Sequence, residues 1–555
     1  MDDRRRLIIA IVLMLGVAFL PSFFLSRNDQ PVADRPSFDI PGDPPAERAD
    51  TVADTLVERP PVVLENEIPA PTPVADTERT VVVRSDLYEY EFSSRGARFV
   101  RATLLNYESL APGDDGPANI IPDSSAFLES ALVFGNDTLH LGDWSFQPSL
   151  EVMDVTSENR ELTWTGRRGQ ATVRLTYSFH PEEYLFRVRG ELEGFPTDNP
   201  LLLVRIGPTL RSVEVDSTEN FRSYGIVTRA GNTENLKFSS LDPGETTALP
   251  GPFDWIAIKS KYFVGSILAL EGESGQPRFG GALAQAPPQT GRQTTKVRVT
   301  AAMAVRERSF RYSVYVGPQE YRRLSRIGYG LEDVNPYGWI FRPIIRPVSL
   351  VIVRMLLWGH ENLNLAYGWL LVLFGVGIRI LLWPLNQKAM RSQMAVQEVQ
   401  PDVEALRKKY AKDQQKLGQE TMKLYKERGI NPLGGCLPML LPMPILFAFF
   451  FVFLNTIELR GVPWMWLPDL SRPDPIYIIP LLMGGSMFAV TKMGQRGVPP
   501  NPQAKMMLYA MPVIFTVMFL NFSSGLNLYY TSQQLASIPQ QWLISQRRMA
   551  RLTRK

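Results

Sequence analysis

The stretch Leu370-Leu-Val-Leu-Phe-Gly-Val-Gly-Ile-Arg-Ile-Leu-Leu-Trp, residues 370–383, decides the class of fold. All of its residues except one are apolar, as a helix that crosses about 30 Å of hydrocarbon requires. The exception is Arg379. A charge at the bilayer centre costs at least ~2.5 kcal/mol on insertion scales, so this guanidinium needs a compensating environment. The stretch therefore predicts a membrane helix that carries a positive charge close to one end.

Further apolar segments surround this helix and predict a polytopic α-helical membrane protein. A basic start, Met-Asp-Asp-Arg-Arg-Arg, precedes an apolar run at 7–25, so residues 1–26 form either an uncleaved signal anchor or a cleaved signal peptide. The anchor is favoured because no small-residue cleavage site follows directly, which gives six spans in all. The five core spans are predicted at 363–384, 433–454, 476–491, 506–522 and 525–544, within core segments 363–385 and 431–545.

A large water-soluble part separates the first span from the core. Residues 27–80 are rich in Pro, Asp, Glu and Ala and predict a flexible linker. Residues 81–320 consist of short runs in which apolar and polar residues alternate, such as Leu87-Tyr-Glu-Tyr-Glu-Phe. Turn-forming sequences such as Ser94-Arg-Gly and Asp242-Pro-Gly separate these runs. We expect one large antiparallel β sandwich there.

Three connecting segments complete the chain. The connector 321–362 contains apolar residues with two arginines at 343–358, which predicts an amphipathic helix lying in the membrane interface. Helical spacing of apolar residues across 386–430 predicts a hairpin of two helices with its turn at Lys412-Asp-Gln-Gln. Residues 546–555 form a basic tail.

Lysine and arginine also predict the orientation. The start of the chain, the hairpin, the loop with Lys492, Arg496 and Lys505, and the tail are all basic and fall on one side when the spans alternate. We therefore expect both termini in the cytoplasm and the β domain on the outer side of the membrane.

Composition argues against several classes of function. The chain has one cysteine and three histidines among 555 residues, so an internal disulfide is excluded and no zinc spacing is present. A net charge of +3 is too small to indicate nucleic-acid binding by itself. Phosphate-binding loops and hydrolase motifs are also missing from the sequence. We expect no enzymatic reaction, no cofactor, no metal and no small-molecule substrate.

Arg379 has two interpretations. The guanidinium could reach the head groups by extending along its helix, or it could face a hydrated cavity inside the bundle. The last span favours the cavity, because polar side chains recur there at helical spacing and predict a wet face. These side chains could instead bond to neighbouring helices and serve packing alone. They are Asn527, Thr531, Gln534, Ser537 and Gln541.

The basic tail also has two interpretations. Its charges would ordinarily set topology and bind anionic lipid, whereas contact with ribosomal RNA would look the same in sequence. The residues concerned are Arg547, Arg548, Arg551, Arg554 and Lys555.

Several motifs resemble the YidC/Oxa/Alb3 family of membrane protein insertases. They are Asn431-Pro-Leu-Gly-Gly-Cys-Leu-Pro, Asp474-Pro-Ile-Tyr-Ile-Ile-Pro, Met511-Pro-Val-Ile-Phe-Thr-Val and Ser524-Gly-Leu-Asn-Leu-Tyr-Tyr, together with Arg379 before Trp383-Pro-Leu. The resemblance is most specific over 365–545. Pro442 and Ser523 depart from the family, which often has glutamine and proline at these places.

The resemblance implies a protein of the bacterial inner membrane, with its large domain in the periplasm, that helps nascent hydrophobic segments enter and fold in that membrane, alone or with the Sec translocon. It implies a five-helix core with a hydrophilic groove open to the cytoplasm, in which Arg379 is the charge and Asn527, Tyr530, Thr531 and Gln534 are polar lining. Clients would contact the apolar residues Met443, Leu446 and Met518 beside Tyr530. The implied partners are nascent membrane proteins, the Sec translocon, the ribosome and phospholipid, and the outer domain would be an all-β supersandwich similar to mutarotases.

Two other classes remain as alternatives. A secondary transporter would show inverted repeats and an acidic residue at the midplane of its spans, and the sequence shows neither. A sugar-binding or sugar-modifying enzyme is suggested only by the shape expected for the β domain. Such an enzyme would need convergent carboxylates or histidines, and His140 and His180 are too few.

Overall fold

The computed structural model describes residues 78–122, 125–196, 199–269, 278–288, 294–335, 341–387, 399–411, 413–429, 443–496 and 502–552. The predicted N-terminal span and nearly all of the predicted linker lie outside these residues. So do the first part of the predicted hairpin and residues 433–442 of the third predicted span.

The region predicted as β structure contains twenty described strands, and the all-β prediction is confirmed. In chain order β1 to β20 are Thr80–Arg84, Tyr88–Ser93, Phe99–Glu108, Pro117–Asn119, Ser130–Phe134, Asp137–His140, Phe146–Pro148, Val152–Asp154, Arg160–Arg168, Ala171–Phe179, Leu185–Glu193, Leu201–Ile206, Gly225–Ala230, Asn232–Lys237, Thr246–Phe253, Trp255–Lys259, Phe263–Leu268, Phe279–Gln285, Arg298–Ala304 and Ser309–Pro318.

The strands form three sheets rather than the two faces of a simple sandwich. The orders are β4-β3-β2-β1-β8, β14-β13-β16-β17-β20-β11-β10-β9-β7 and β15-β18-β19-β12-β5-β6. The expectation of a purely antiparallel domain is wrong at one place, because β1 pairs with β8 in parallel and Val82 lies opposite Val152. The two strands are far apart in sequence, so their local patterns could not reveal this pairing.

Alternation along the strands produces the core. In β2, Tyr88, Tyr90 and Phe92 are buried while the two glutamates between them are partly exposed, because successive side chains point to opposite faces of a strand. Their rings join a cluster in which Phe92 stacks on Phe99 with centroids 4.8 Å apart. The predicted turn at Ser94-Arg-Gly is present, and Gly96 adopts the positive φ of 74° that glycine accommodates without strain.

The helices follow the apolar segments of the sequence, with different ends. In chain order α1 to α10 are Ser217–Arg222, Tyr321–Ile327, Arg342–Leu363, Tyr367–Leu381, Gln400–Lys409, Gln414–Glu427, Met443–Asn455, Ile478–Gly494, Pro502–Phe519 and Ser524–Leu552. The predicted hairpin contains two helices, α5 and α6, and Arg428 contacts Asp402 across them at 2.9 Å. Helix α10 continues through most of the predicted basic tail, so that segment extends the last span.

Length and composition alone identify few spanning helices. Among the described residues, α3 is the one helix long and apolar enough to cross a membrane, and shorter apolar helices occur at Tyr367–Leu381, Met443–Asn455, Ile478–Gly494 and Lys505–Phe519. Helix α10 is absent from this group, as its polar positions would lead one to expect. The number of six spans stays a prediction.

The β domain and the helices are joined by buried contacts. Ile457, which follows α7, belongs to the hydrophobic core of the β domain. Asp333 lies between the two parts, and its carboxylate contacts Arg229 of β13 at 3.5 Å and Arg342 and Arg346 of α3 at 3.0 and 2.8 Å. The N-terminal end of α3 and the C-terminal end of α7 are therefore held against the β domain.

Candidate functional site

Helix α10 is the centre of the helical bundle. It packs along both α8 and α4, while α9 packs on α8 and α7 packs on α3. In the part of the chain that the structure describes, α7 and α9 do not pack along each other. Helix α7 instead contacts α10, where Phe449 stacks on Tyr529 with ring centroids 3.7 Å apart.

A close approach between α4 and α10 determines where Arg379 lies. A Cβ on Gly375 would come within 2.8 Å of the Tyr529 carbonyl oxygen, so the two helices touch at this glycine. Two turns further along, the Gln540 side-chain amide donates to the Trp383 carbonyl oxygen at 3.3 Å. Arg379 lies midway between these two contacts on the same face of α4, because residues four apart share a face.

The Arg379 side chain is half-buried and has no partner among the residues that the structure describes. Its Nε atom is buried without a hydrogen bond there, and no described carboxylate forms an ion pair with it. A buried cation without a counter-charge is costly in hydrocarbon and tolerable in water.

The polar positions of α10 divide into two groups. Asn527 donates from Nδ2 to the Phe519 carbonyl oxygen at 2.9 Å, and Thr531 donates to the Ile479 carbonyl oxygen at 3.3 Å. Ser537 bonds within its own helix, to the Gln534 carbonyl oxygen. For these three residues the packing interpretation describes the contacts. Gln534 itself is half-buried, one turn beyond Thr531 and close to the level of Arg379.

Two polar residues beside Arg379 were missed from the sequence. Ser532 and Gln540 are buried on the face of α10 that meets α4. Ser532, Ala536 and Gln540 are spaced four residues apart and therefore share a face of the helix. This spacing is the feature of the sequence that could have identified the two polar residues. The spacing was hidden because the neighbouring polar positions satisfy a helical period equally well.

The predicted client-contacting residues lie on three helices, α7, α9 and α10. Tyr530 packs edge to face on Phe519 of α9 with centroids 5.5 Å apart, and its buried hydroxyl has no hydrogen-bond partner among the described residues. Met518 is partly buried against the same apolar cluster. Met443 and Leu446 are half-buried near the start of α7. The structure thus brings Tyr530 and α9 together.

The basic end of α10 is partly structural. Arg548 donates from Nη1 to the Gly494 carbonyl oxygen at 2.8 Å and to the Arg496 carbonyl oxygen at 3.2 Å. These bonds satisfy carbonyls at the end of α8 and place a cation where a helix favours one. Arg547 is exposed. The side chains of Arg551, Arg554 and Lys555 lie outside the described residues.

Comparison with known proteins agrees with this architecture. A family model described as "60Kd inner membrane protein" matches residues 358–551, and one described as "YidC periplasmic domain" matches residues 80–350. A membrane protein insertase YidC from Polynucleobacter asymbioticus is 30% identical over 500 residues, with 85% of each chain covered. One from Ralstonia nicotianae is 31% identical over 485 residues, covering 84% of this chain and 83% of its own. A crystal structure of an active YidC insertase with its first transmembrane domain resolved aligns with 83% of this chain and 94% of its own, at 18% identity and a TM-score of 0.34.

An inner-membrane protein with a periplasmic β domain is the class that these matches define. The chain belongs to the YidC family of membrane protein insertases. The function named for these relatives is not enzymatic, which confirms the prediction that the chain carries out no chemical reaction of its own.

Proposed function

We propose that this chain inserts nascent membrane proteins through a hydrated recess whose single charge is Arg379. The recess would lie between α7, α9 and α10, with α4 supplying the guanidinium from the side. The observation that carries the proposal is the half-buried Arg379 guanidinium, which has no carboxylate partner among the described residues and lies between the levels of the buried Ser532 and Gln540 of α10.

Such a recess would lower the free-energy cost of moving a polar client segment into the membrane. A client segment that must carry a polar or acidic end across the membrane meets a large desolvation cost in hydrocarbon. A water-containing recess that reaches part of the way shortens the dry path, and a fixed positive charge attracts an acidic end. The mechanism requires no nucleophile and no metal.

The apolar walls would receive the rest of the client. Tyr530 and Met518 lie on one side of the recess, and Met443 and Leu446 lie on α7. Methionine side chains adapt to varied apolar shapes, which suits clients of different sequence. The separation of α7 from α9 would let an apolar helix pass from the recess into lipid.

Orientation and partners complete the proposal. With both termini in the cytoplasm, the recess opens toward the ribosome, and the α5–α6 hairpin and the exposed Arg547 are surfaces for the ribosome or for anionic phospholipid. Clients that require the Sec translocon would pass from it to the recess, whereas other clients would enter the recess directly. Gln534, at the level of the guanidinium, would contribute polar lining.

Complementation tests the charge. Cells depleted of the native protein receive wild type, Arg379→Lys, Arg379→Ala or the exposed-arginine control Arg326→Ala, and insertion of a small client is measured at matched expression. We expect Arg379→Ala to fall to the level of depleted cells, Arg379→Lys to retain much of the insertion, and the control to match wild type. Full insertion by Arg379→Ala would refute the proposed role of the charge.

Site-specific photocrosslinking tests the walls. A photoreactive residue at position 443, 518 or 530 should capture a stalled nascent membrane protein, whereas position 351, on the exposed face of α3, should not. Capture of lipid alone from the three recess positions would contradict the proposed client path.

A further inference from the structure

A second, apolar groove lies on the opposite side of α8 from the bundle centre, between α8 and α9. It has a volume of about 420 Å³. Small and apolar residues line it, among them Leu481, Gly485, Phe488, Tyr509, Val513 and Val517. It shares none of the residues proposed for the recess.

Adjacent glycines explain why the groove is open. A Cβ on Gly484 would lie 1.9 Å from the Thr516 hydroxyl oxygen, so α8 and α9 touch at this position. The next residue, Gly485, has no atom within 4 Å of the place where its Cβ would be. The helices therefore meet at one glycine and leave an unfilled channel over its neighbour.

The groove is suited to an apolar occupant. The Thr516 hydroxyl donates to the Pro512 carbonyl oxygen at 2.7 Å, so it needs no bond from an occupant. Leu481, Val513 and Val517 are each about 60% exposed or more, and in a membrane they face hydrocarbon. An acyl chain fills such a channel without leaving any polar group unsatisfied.

One end of the groove carries two cations. Phe488 and Tyr509 close that end with ring centroids 5.9 Å apart, which brings α8 and α9 level with each other there. Lys492 lies one turn beyond Phe488, and its Nζ is 5.6 Å from the Phe488 ring centroid. Lys505 lies one turn before Tyr509, so it continues the same face of α9 toward the same end.

These two lysines have no counter-charge in the protein that the structure describes. Both side chains are exposed, and no described carboxylate forms an ion pair with either. Lysines grouped between helices at the cytoplasmic end of a membrane protein favour anionic lipid head groups. The orientation proposed above places this end in the cytoplasmic leaflet.

We propose that this groove binds one anionic diacyl phospholipid, with an acyl chain over Gly485 and the phosphate between Lys492 and Lys505. A phospholipid is favoured over a transmembrane helix because a helix about 10 Å wide is far larger than a groove of about 420 Å³, and because the charged end of the groove requires an anion at the membrane surface. The proposal does not depend on insertase activity, since lipid binding is measured on the purified chain.

Native mass spectrometry of the full-length chain in detergent tests the proposal. The protein is titrated with phosphatidylglycerol or with phosphatidylethanolamine of the same acyl chains. We expect one phosphatidylglycerol to be retained more tightly than phosphatidylethanolamine. Each of the changes Lys492→Gln and Lys505→Gln should weaken its binding about fivefold, the value of one lysine near an anionic surface.

Two controls separate this site from general charge and bulk. Lys423→Gln with Lys426→Gln removes two exposed charges from α6 and should leave the affinity unchanged. Gly485→Leu fills the channel and should abolish the preferred adduct. Gly377 is an exposed glycine of α4 that, like Gly485, has no atom within 4 Å of the place where its Cβ would be. Gly377→Leu therefore adds the same bulk outside the groove and should leave the preferred adduct unchanged.

Three results would overturn the proposal. If the α6 control lowers the phosphatidylglycerol affinity as much as Lys492→Gln or Lys505→Gln does, the effect comes from net charge and not from this site. If Gly485→Leu binds phosphatidylglycerol as wild type does, no acyl chain lies in the groove. Full competition by the soluble head group glycerophosphoglycerol would leave only an anion site. A photoreactive residue at 485 that captures a protein helix in cells, rather than lipid, would make the groove a protein interface instead.

Discussion

Arg460 is the residue at which we expect the largest loss of stability from one substitution. It follows α7 and enters the β domain, where its side chain is only 3% exposed. Its Nε donates to the Glu214 carboxylate at 2.8 Å, and its terminal nitrogens donate to the carbonyl oxygens of Glu108 at 2.9 Å and Val213 at 3.0 Å. The guanidinium also lies 5.4 Å from the centre of the Phe263 ring.

The magnitude follows from what Arg460→Met leaves behind. Glu214 is 12% exposed, and without the guanidinium its carboxylate stays buried without a cation. Removing one partner of a buried ion pair costs about 3–5 kcal/mol, whereas an exposed pair contributes about 0–1 kcal/mol. The exposed pair Arg322–Glu361, which joins α2 to α3, supplies the matched control.

The loss should depend on pH with a defined sign. Burial raises the pKa of Glu214, and Arg460 acts in the opposite direction. Arg460→Met removes the guanidinium that lowers the pKa of Glu214, so this pKa is higher in the folded variant than in folded wild type. A folded pKa raised above the unfolded value means that stability falls as pH rises. The difference in stability from wild type should therefore be small near pH 5 and widen toward pH 8.

Urea unfolding of the purified full-length chain, followed by tryptophan fluorescence at pH 5 and pH 8, measures this. Glu214→Gln and the double variant complete a cycle, in which the double variant should lose less than the sum of the single changes. Refutation would be a loss in Arg460→Met no larger than in Arg322→Met, or a loss that is equal at the two pH values. Either result would mean that the contact between Arg460 and the β domain is loose in solution.

Two further predictions concern the helices and their connection. Gly375→Leu should lower the free energy of unfolding by about 1–3 kcal/mol, because its side chain would meet the backbone of α10, while Gly377→Leu stays near wild type in the same unfolding assay. Burial raises the pKa of Glu458 to about 7, so the free energy of unfolding should fall as pH rises from about 4.3 through 7. Glu458→Gln should abolish that fall, and urea midpoints at pH 5 and pH 8 that move equally in wild type and variant would contradict it.

The site was only partly readable from the sequence. Arg379 could be identified because a charge within an apolar run is conspicuous without any neighbour. Asn527 and Thr531, predicted as groove lining, bond to the Phe519 and Ile479 carbonyl oxygens, and their part in a groove stays a prediction. Helical spacing shows which residues share a face, but it does not show which helix that face meets. The same limit hid Gln540, and it hid the role of Arg548 as a cap on α8.

The sequence by itself determined the class of the protein: apolar segments of nearly spanning length, alternating strands in a separate block, and basic connections. Each of these is a local pattern, set by the period of a helix or a strand and by the solvent it faces. Tertiary structure alone decided the parallel pairing of β1 with β8, the burial of Arg460 in the β domain and the approach of α4 to α10 at Gly375. These contacts join residues far apart in the chain, and their energies depend on distances that no local pattern encodes.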